Sequence, residues 1–406
     1  MIKKILTGFC LLFAFVSFAQ QGSSSPISNY GIGEVRFRGT TEARSMGGVA
    51  VEQDSIHINL ENPASFSNLK LTSFTAGGTS NSSSLKTEST TENARRVTLD
   101  YLAVGLPMGK FGLGFGLIPY SSVGYNIRTT AALETEKNKN YTGTGGLNKV
   151  FLGLGYKINS KWNIGADVNY IFGNIETNYY EYLKNIELGT LETNTAQLSG
   201  VSFSVATQFQ TKISKKLSIF AGLNYTFENK LTSKNTRVVT NTTETNTYTI
   251  GNTSIPFLSR FNASVGIGQV KKWQIGTKIV YQAASNLANH YNNSNNVSYG
   301  AFTSYGLGGY YIPDYNSYTN YAKQIVYRAG LRYEKTGLIM NTKSIDDLGF
   351  TLGLGLPLTG SFSSVNIGFE MGKRGTTANG LIQQNYTNIS VGLSFNDKWF
   401  EKRKFN

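Results

Sequence analysis

The chain has 406 residues, a formal net charge of +14, 44 glycines, 24 tyrosines and 24 phenylalanines, yet only 15% of its residues are charged. Its mean hydropathy of −0.22 and the absence of a long apolar run after residue 20 argue against membrane-spanning helices. The single cysteine, Cys10, excludes disulfide frameworks and thiolate metal sites from everything that follows it. This glycine- and aromatic-rich composition favours an all-β transmembrane barrel, and a large soluble array of β-sandwiches is the alternative.

Residues 1–20 predict a secretory signal peptide. Two lysines precede an apolar stretch over 5–18, and Ser17 and Ala19 supply the small residues that a signal peptidase requires. An uncleaved membrane anchor is the alternative. We therefore expect export to the Gram-negative outer membrane, where anionic lipids are the natural partners of a basic protein and nucleic acid is not.

Alternating segments follow from residue 71 onward. In the stretch 163–170, Ile164 and Val168 share one face of a strand while Asn163 and Asp167 share the other. Such a period of two places one face in lipid and the other in a polar lumen. About fourteen segments of this kind predict an antiparallel barrel over 71–395, and they lie near 71–79, 96–106, 112–128, 148–158, 161–174, 199–212, 216–228, 258–269, 273–284, 300–312, 323–337, 347–358, 362–374 and 384–395.

Short connections alternate with long polar ones, which are predicted at 80–95, 130–147, 175–198, 229–257 and 285–299. Short turns of bacterial barrels face the periplasm and long loops face outward. Several short turns end in a lysine followed by an aromatic residue, a pairing that anchors proteins at a membrane boundary. Ordinary hairpin chemistry is the alternative explanation for these pairs, which are Lys110 and Phe111, Lys161 and Trp162, and Lys272 and Trp273.

The last predicted strand carries an alternating apolar face that ends on an aromatic residue. This pattern resembles the C-terminal signal read by the machinery that inserts outer-membrane barrels, which we expect as a partner during biogenesis. A short basic tail over 396–406 is predicted to lie on the periplasmic side. The residues of the predicted insertion signal are Ile389, Val391, Leu393 and Phe395.

Residues 21–70 do not alternate and are predicted to form a hatch that plugs the barrel or lies beneath it. Two motifs stand out, a run at 44–50 that contains Arg44, Met46, Gly47 and Gly48, and the tripeptide Asn62-Pro63-Ala64. Pro63 fixes its own φ and biases Asn62 away from helix, so we interpret the tripeptide as a rigid corner.

These two motifs resemble the N-terminal hatch of the FadL family of outer-membrane transporters for hydrophobic compounds. The resemblance implies a fourteen-stranded barrel, passive uptake of hydrophobic small molecules such as long-chain fatty acids, and a gate within 21–45. PorV-like barrels, which serve a secretion system, share the hatch pattern. The alternative function is therefore a structural or shuttle barrel that docks an envelope protein complex.

Sequence motifs for enzymatic chemistry do not stand in a convincing context. The two histidines, His57 and His290, fall in the hatch and in a predicted outer loop, so neither predicts a metal site or a catalytic triad. The many G-x-G fragments are interpreted as strand glycines that let the barrel wall pack and bend. We predict no enzymatic activity and no cofactor. An outer-membrane enzyme is the third and weakest of the three hypotheses.

Overall fold

The computed structural model describes residues 25–399 apart from 134, 185–188, 242, 285–286, 288–290, 292–295, 318 and 360, and its strands form one closed antiparallel sheet. A four-residue helix, α1 (Thr41–Arg44), precedes the barrel. The strands of the described residues are β1 (Glu34–Val35), β2 (Thr72–Lys86), β3 (Thr91–Met108), β4 (Phe111–Thr129), β5 (Lys137–Lys157), β6 (Trp162–Leu183), β7 (Gly189–Lys212), β8 (Ser218–Thr226), β9 (Asn229–Thr240), β10 (Thr245–Phe257), β11 (Arg260–Gln269), β12 (Trp273–Gln282), β13 (Val297–Tyr299), β14 (Phe302–Tyr311), β15 (Val326–Met340), β16 (Lys343–Pro357), β17 (Ser364–Arg374) and β18 (Gln383–Asp397).

Fourteen spanning strands form the barrel wall when β8 with β9 and β10 with β11 are each counted as one and β1 and β13 are left out, which confirms the predicted fold. Strands β8 and β9 form one interrupted crossing, because both pair with β7, and β10 and β11 form the next. Strand β13 pairs only with the far end of β15, and β1 pairs with β4. The barrel closes where β18 pairs with β2, from Gln383 opposite Lys86 to Asp397 opposite Thr72.

The wall is apolar outside and polar inside, as the alternation predicts. Ile164 and Val168 are exposed on the outer surface, whereas Asn163 and Asn169 on the same strand are buried inside. An apolar outer belt on a closed barrel is what a bilayer requires of a spanning protein. Among the described residues, no helix has the length and apolar character needed to cross a membrane.

Four of the predicted long connections, 80–95, 130–147, 175–198 and 229–257, are shorter than predicted, because most of their residues extend the strands. Most of the fifth, 285–299, lies outside the described residues. Strands β2 and β3 turn at 87–90, and β9 and β10 form a hairpin across 229–257. The residues concerned are rich in Thr, Ser and Asn, which breaks the apolar pattern of the outer face. The alternation rule detects only the part of a strand with one lipid face and one lumen face, so it missed these continuations.

The N-terminal segment, residues 25–70, lies within the barrel. It includes α1 and two 3-10 turns, Pro26–Asn29 and Pro63–Asn68. Its side chains form hydrogen bonds with three strands of the wall. Ser25 donates to Gln384 of β18, Asn68 donates to Gln208 of β7, and Ser28 donates to the carbonyl of Gly124 of β4. The barrel interior is therefore occupied by residues of the chain's own N-terminal segment, 25–70.

Candidate functional site

Strands β3 and β4 part from each other halfway along the wall. They pair from Met108 opposite Phe111 to Leu102 opposite Leu117, and beyond that point the remainder of β3 pairs with β2 alone. Strand β4 pairs there with β1, with Ser122 opposite Glu34. Pro119 lies at the parting point, next to a register shift against β5, and proline cannot donate a ladder hydrogen bond. We call this parting of β3 and β4 the seam.

A recess of about 870 Å³ opens beside the seam. It is lined by exposed Val97 and Leu99 of β3, and Arg36 and Phe37 of the N-terminal segment lie at its inner side. The backbone that lines the recess at position 146 requires glycine. Gly146 has φ of 145°, and a Cβ there would overlap the carbonyl of Ser121. Further lining residues are Tyr170, Phe172, Gly173, Asn148, Ser199 and Lys234. The recess thus connects the outer surface of the wall with the N-terminal segment.

The predicted hatch motif at 44–50 is fastened to the wall by an ion pair and by close backbone packing. Nη1 of Arg44 lies 3.1 Å from the carboxylate of Asp100, and both groups are buried. The Met46–Gly47 backbone rests on the inward face of Gly330, where a Cβ would overlap it. Gly47 also donates its N–H to Thr351, at 3.1 Å. Gly48 has φ of 89°, a conformation that favours glycine.

The Asn62-Pro63-Ala64 corner rests on a second glycine surface of the wall. The Asn62 side chain accepts the N–H of Ala64 at 3.0 Å and donates to the carbonyl of Thr207 at 3.1 Å. A Cβ on Gly165 would overlap the Pro63–Ala64 backbone. Asn62 thereby caps the 3-10 turn Pro63–Asn68. The inward strand glycines do more than let the wall bend: they admit the backbone of the N-terminal segment.

A buried network of ion pairs links the N-terminal segment to strands β15, β16 and β17 of the wall. The fully buried carboxylate of Asp347 lies within 3.2 Å of Arg332, Arg374 and Arg38. The hydroxyl of Tyr386 also donates to it at 2.7 Å. Sequence reasoning missed this cluster because it considered the small polar lumen faces and not the charged ones. The signal was available, since Arg328, Arg332 and Glu334 share the inward face of one strand.

The predicted interface pairs lie at the short-turn end of the barrel. Lys110, Phe111, Lys161 and Trp162 are exposed there, and the Trp162 ring packs on Phe209 with centroids 4.5 Å apart. Lys272 is exposed and Trp273 is half-buried. The residues of the predicted insertion signal all point outward on β18, namely Ile389, Val391, Leu393 and Phe395. Strand β18 runs to Asp397, two residues further than expected, while 400–406 and His290 lie outside the described residues.

His57 bonds to two side chains near the same end. Its Nδ1 lies 2.7 Å from Asp54 and its Nε2 lies 3.1 Å from the Ser364 hydroxyl. Burial alone would lower the pKa of His57, but the charge and hydrogen bond of Asp54 outweigh burial and raise it. A raised pKa favours the protonated ring, which donates to Ser364 and cannot accept its proton. The three residues therefore fasten the N-terminal segment to β17, and His57 does not activate the Ser364 hydroxyl.

This fastening predicts a pH window. Burial raises the pKa of Asp54, but His57 and two backbone N–H groups outweigh burial and lower it to about 2. The contribution of Asp54 to stability is present above its ordinary pKa of 3.8 and is lost as the pH falls towards 2. The contribution of His57 is complete below its ordinary pKa of 6.5 and is lost as the pH rises through the raised value. The pair is therefore strongest between these ordinary values.

Histidine NMR titration of the folded protein tests this window. We expect a His57 pKa above 6.5, and Asp54→Asn should lower it by roughly 1–3 pH units because the opposite charge is lost. The chain has only two histidines, so a His290→Gln variant assigns the signals and serves as the control. An unchanged His57 titration in Asp54→Asn would rule the ion pair out.

Among the described residues, no group of histidines, cysteines and carboxylates is arranged to hold a metal ion.

Solved structures with the same fold support the barrel assignment. The Pseudomonas aeruginosa FadL homologue is 10% identical with a TM-score of 0.59, and the match covers 90% of this chain and 99% of that one. The Ralstonia pickettii toluene transporter TbuX is 11% identical with a TM-score of 0.57, covering 92% and 99%. The Pseudomonas putida toluene transporter TodX is 14% identical with a TM-score of 0.56, covering 89% and 98%.

These likenesses confirm the resemblance to FadL-type barrels at the level of the fold. No curated protein matches the sequence. The sequence matches the family described as BamG over residues 1–406. Because this match spans the whole chain, the protein belongs to the BamG family.

Proposed function

We propose that this protein is an outer-membrane barrel that takes up hydrophobic small molecules passively, by way of the recess beside the seam. The observation that carries the proposal is the parting of β3 from β4 next to a recess of about 870 Å³. An opening in the lipid-facing wall gives an apolar molecule a route that avoids the charged lumen. The transporters of similar fold support the proposal, since TbuX and TodX are toluene transporters.

The driving force in this proposal is burial of apolar surface followed by diffusion down a gradient. The recess offers aromatic and aliphatic side chains on its outer side and polar groups on its inner side, where Arg36 and Ser121 lie. A molecule with a long apolar body suits such a lining, so long-chain fatty acids are the proposed substrate class within hydrophobic compounds.

The N-terminal segment is the proposed gate, since it forms the inner side of the recess. Strand β1 takes the position beside β4 that β3 vacates, and the N–H of Arg36 donates to the carbonyl of Tyr120 at 3.0 Å. A molecule that passes beyond the recess must displace these backbone contacts. Deletion of residues 21–40 should therefore increase leakage of small hydrophobic probes through the barrel, and unchanged leakage would show that this segment is not the gate.

Filling the recess should block uptake. We expect Ser199→Trp to reduce the rate at which vesicles containing the protein take up toluene by about tenfold, because an indole occupies space that the ligand needs. Ile279→Trp is the matched control, since Ile279 is exposed on the outer wall of β12 and does not line the recess. Equal uptake by Ser199→Trp and the wild-type protein would contradict a route through the recess.

A second function has its own supporting observation. The N-terminal segment is tied to the wall by buried ion pairs from Arg38, Arg44 and Glu61, and such a filled lumen suits a structural barrel that docks an envelope protein complex. The chain also belongs to the BamG family, whose name differs from those of the transporters of similar fold.

Isolation of the protein from its native membrane separates the two functions. Uptake predicts that the purified barrel carries amphiphiles and that a deletion strain takes up hydrophobic compounds more slowly. Docking predicts that defined protein subunits accompany the barrel in fixed ratio and that uptake is unchanged. Absence of both amphiphile and uptake defect would contradict the transport proposal.

A further inference from the structure

The lipid-facing wall carries an apolar groove of about 910 Å³ across β14, β15 and β16, with β12 and β17 at its edges. Its bottom is formed by Gly309 and Ala329, which lie opposite each other on β14 and β15. Bulky neighbours flank these two small residues, since Leu307 and Leu331 are exposed on the same outer face. A Cβ on Gly309 would overlap the carbonyl of Gln274, so a larger residue fits there only if the wall shifts. The groove is therefore built into the backbone of the barrel.

Two tyrosines mark the end of the groove that lies towards the short turns. Tyr311 and Tyr327 pair across β14 and β15, and their side chains are exposed on the outer wall. The hydroxyl of Tyr327 donates to the carbonyl of Ala322 in the adjoining turn, at 3.1 Å. Tyrosine rings are enriched at the boundary between the hydrocarbon and the headgroups of a membrane. The groove therefore runs from that boundary into the apolar belt.

Three exposed lysines lie in the two turns beyond these tyrosines. Lys271 and Lys272 belong to the turn before β12, and the carbonyl of Lys272 accepts the N–H of Ile312 at the end of β14. Lys323 belongs to the turn before β15, where its carbonyl accepts the N–H of Asp314 at 2.9 Å. Asp314 supplies the one carboxylate in these two turns. The end of the groove is therefore bordered by more basic than acidic side chains.

Two of these groups have contacts of their own. The Lys271 ammonium lies 4.5 Å from the ring centre of Tyr315, and Glu52 acts on it electrostatically from inside the barrel. The Glu52 carboxylate accepts the hydroxyl of Tyr310. The site does not require an unpaired charge, because several exposed lysines beside a membrane are enough to favour an anionic headgroup over a neutral one.

The same bias extends along the whole short-turn end of the barrel. Its six turns carry seven lysines and one carboxylate in the sequence. Lysine at this depth extends its ammonium group towards the headgroups of the bilayer. The strands that form the groove adjoin the turns that hold Lys271, Lys272 and Lys323. The turns are at 109–110, 158–161, 213–217, 270–272, 312–325 and 358–363.

The N-terminal segment covers the inner side of the same part of the wall. Cβ atoms on Gly308 and Gly330 would overlap the backbone of Met46 and Gly47. At these positions only the strand backbone separates the groove from the hatch motif. The hatch motif thus closes the wall behind the groove, so an occupant reaches the groove from the bilayer.

We propose that the groove and its three lysines form a binding site for one anionic phospholipid of the leaflet that surrounds the short turns. One acyl chain would lie over Gly309 and Ala329, and the phosphate would contact Lys271, Lys272 and Lys323. The chain would pack on the outer side of the backbone that holds the hatch motif. The site lies on the lipid side of the wall and does not depend on the proposed uptake.

The length and the charge of the site favour a lipid over a second barrel. The groove extends from Tyr311 to Leu307, which is roughly 13 Å along a strand. One leaflet contributes half of a hydrocarbon core that is about 30 Å thick, so an acyl chain matches this length. A second copy in the same membrane orientation would bring its own lysine turns against these, and like charges repel.

Native mass spectrometry of the full barrel tests the headgroup contact. The protein is released from nanodiscs that contain phosphatidylglycerol and phosphatidylethanolamine in equal amounts. We expect one phosphatidylglycerol molecule to stay bound to each barrel. A triple variant with Lys271→Gln, Lys272→Gln and Lys323→Gln should weaken its apparent affinity by about tenfold or more, because each lysine near the headgroups adds to the attraction.

A second triple variant makes this test specific to the groove. Lys110→Gln, Lys215→Gln and Lys216→Gln remove the same charge from other short turns, so the bound lipid should be retained. Equal loss in both triple variants, or no preference for phosphatidylglycerol in the wild-type protein, would overturn the proposal. A dimer without bound lipid would also overturn it, in favour of a second copy as the occupant.

Fluorescence quenching by brominated acyl chains tests the groove itself. Trp273 is half-buried and pairs with Tyr311 at the end of the groove. The chain has three tryptophans, so Trp162→Phe and Trp399→Phe leave Trp273 as the single one. At low mole fraction, brominated phosphatidylglycerol should quench Trp273 more strongly than brominated phosphatidylethanolamine does.

Filling the groove should remove this difference between the two lipids. Ala329→Leu places a larger side chain on the bottom of the groove, where the acyl chain would lie. Ala166→Leu is the matched control, since Ala166 is also exposed on the outer wall, on β6, and does not line the groove. Equal quenching by the two lipids in the wild-type background, or an unchanged difference in Ala329→Leu, would contradict an acyl chain in the groove.

Discussion

Replacing Asp347 by Asn is expected to lower the free energy of unfolding by about 3–5 kcal/mol. The Asp347 carboxylate is fully buried and lies within 3.2 Å of three guanidinium groups, those of Arg38, Arg332 and Arg374. An amide carries no charge, and its NH₂ group would face further donors. The loss leaves buried cations without compensation, which costs far more than a surface pair would.

Urea-induced unfolding from phospholipid vesicles measures this difference. Asp346→Asn is the matched control, because Asp346 is adjacent in sequence and its side chain bonds only to the hydroxyls of Tyr333 and Ser344 among the described residues. We expect that control to remain within about 1 kcal/mol of wild type. If the two variants unfold alike, the buried network does not stabilise the barrel.

The same variant reports on the N-terminal segment. Arg38 joins this segment directly to the Asp347 carboxylate, at 3.1 Å, and to Glu334 at 3.0 Å, and Glu34 joins it through Arg374. Limited proteolysis should therefore cut the N-terminal segment of Asp347→Asn at lower protease concentrations than in wild type, while the wall strands stay intact. Equal cleavage would show that other contacts hold the segment.

The barrel was predictable from the sequence because its signal is periodic. Alternation such as that of Ile164 and Val168 with Asn163 is a local pattern, and the strand count follows from repeating it. The predicted ends of the strands were less accurate. Where β6 and β7 continue past the apolar belt, the outward face carries polar residues such as Asn174, Glu176 and Gln197, and no rule based on alternation marks where such strands end.

The candidate site was predictable only in part. The hatch motif and the corner at Pro63 lie in the sequence as contiguous runs. The seam arises because β1, far away in the chain, pairs with β4 in place of β3. The ion network likewise joins Arg38 to Asp347, residues 309 positions apart. Contacts of this kind leave no local pattern, so only the folded chain shows them.

Substituting Gly330 by Ala tests the glycine surfaces on which the N-terminal segment lies. Within a strand, alanine loses less conformational entropy on folding than glycine does. If nothing packed against position 330, this change would therefore stabilise the barrel by roughly 0.5–1 kcal/mol. Here the added Cβ would overlap the backbone of Met46 and Gly47, which cannot move aside as a flexible side chain would. We expect a net loss of roughly 1–3 kcal/mol, as for other overpacked interiors.

Gly251→Ala provides the comparison that makes this prediction decisive. Gly251 lies between β10 residues at a register shift, and a Cβ there would meet nothing within 4 Å. Its substitution should be neutral or slightly stabilising, whereas Gly330→Ala should destabilise the barrel and increase leakage of hydrophobic probes past the displaced segment. Stabilisation by both substitutions would mean that the N-terminal segment does not press against the wall. Destabilisation by Gly330→Ala without leakage would instead favour a barrel that docks a partner over one that admits a ligand, because the segment would then hold the structure together without closing a path.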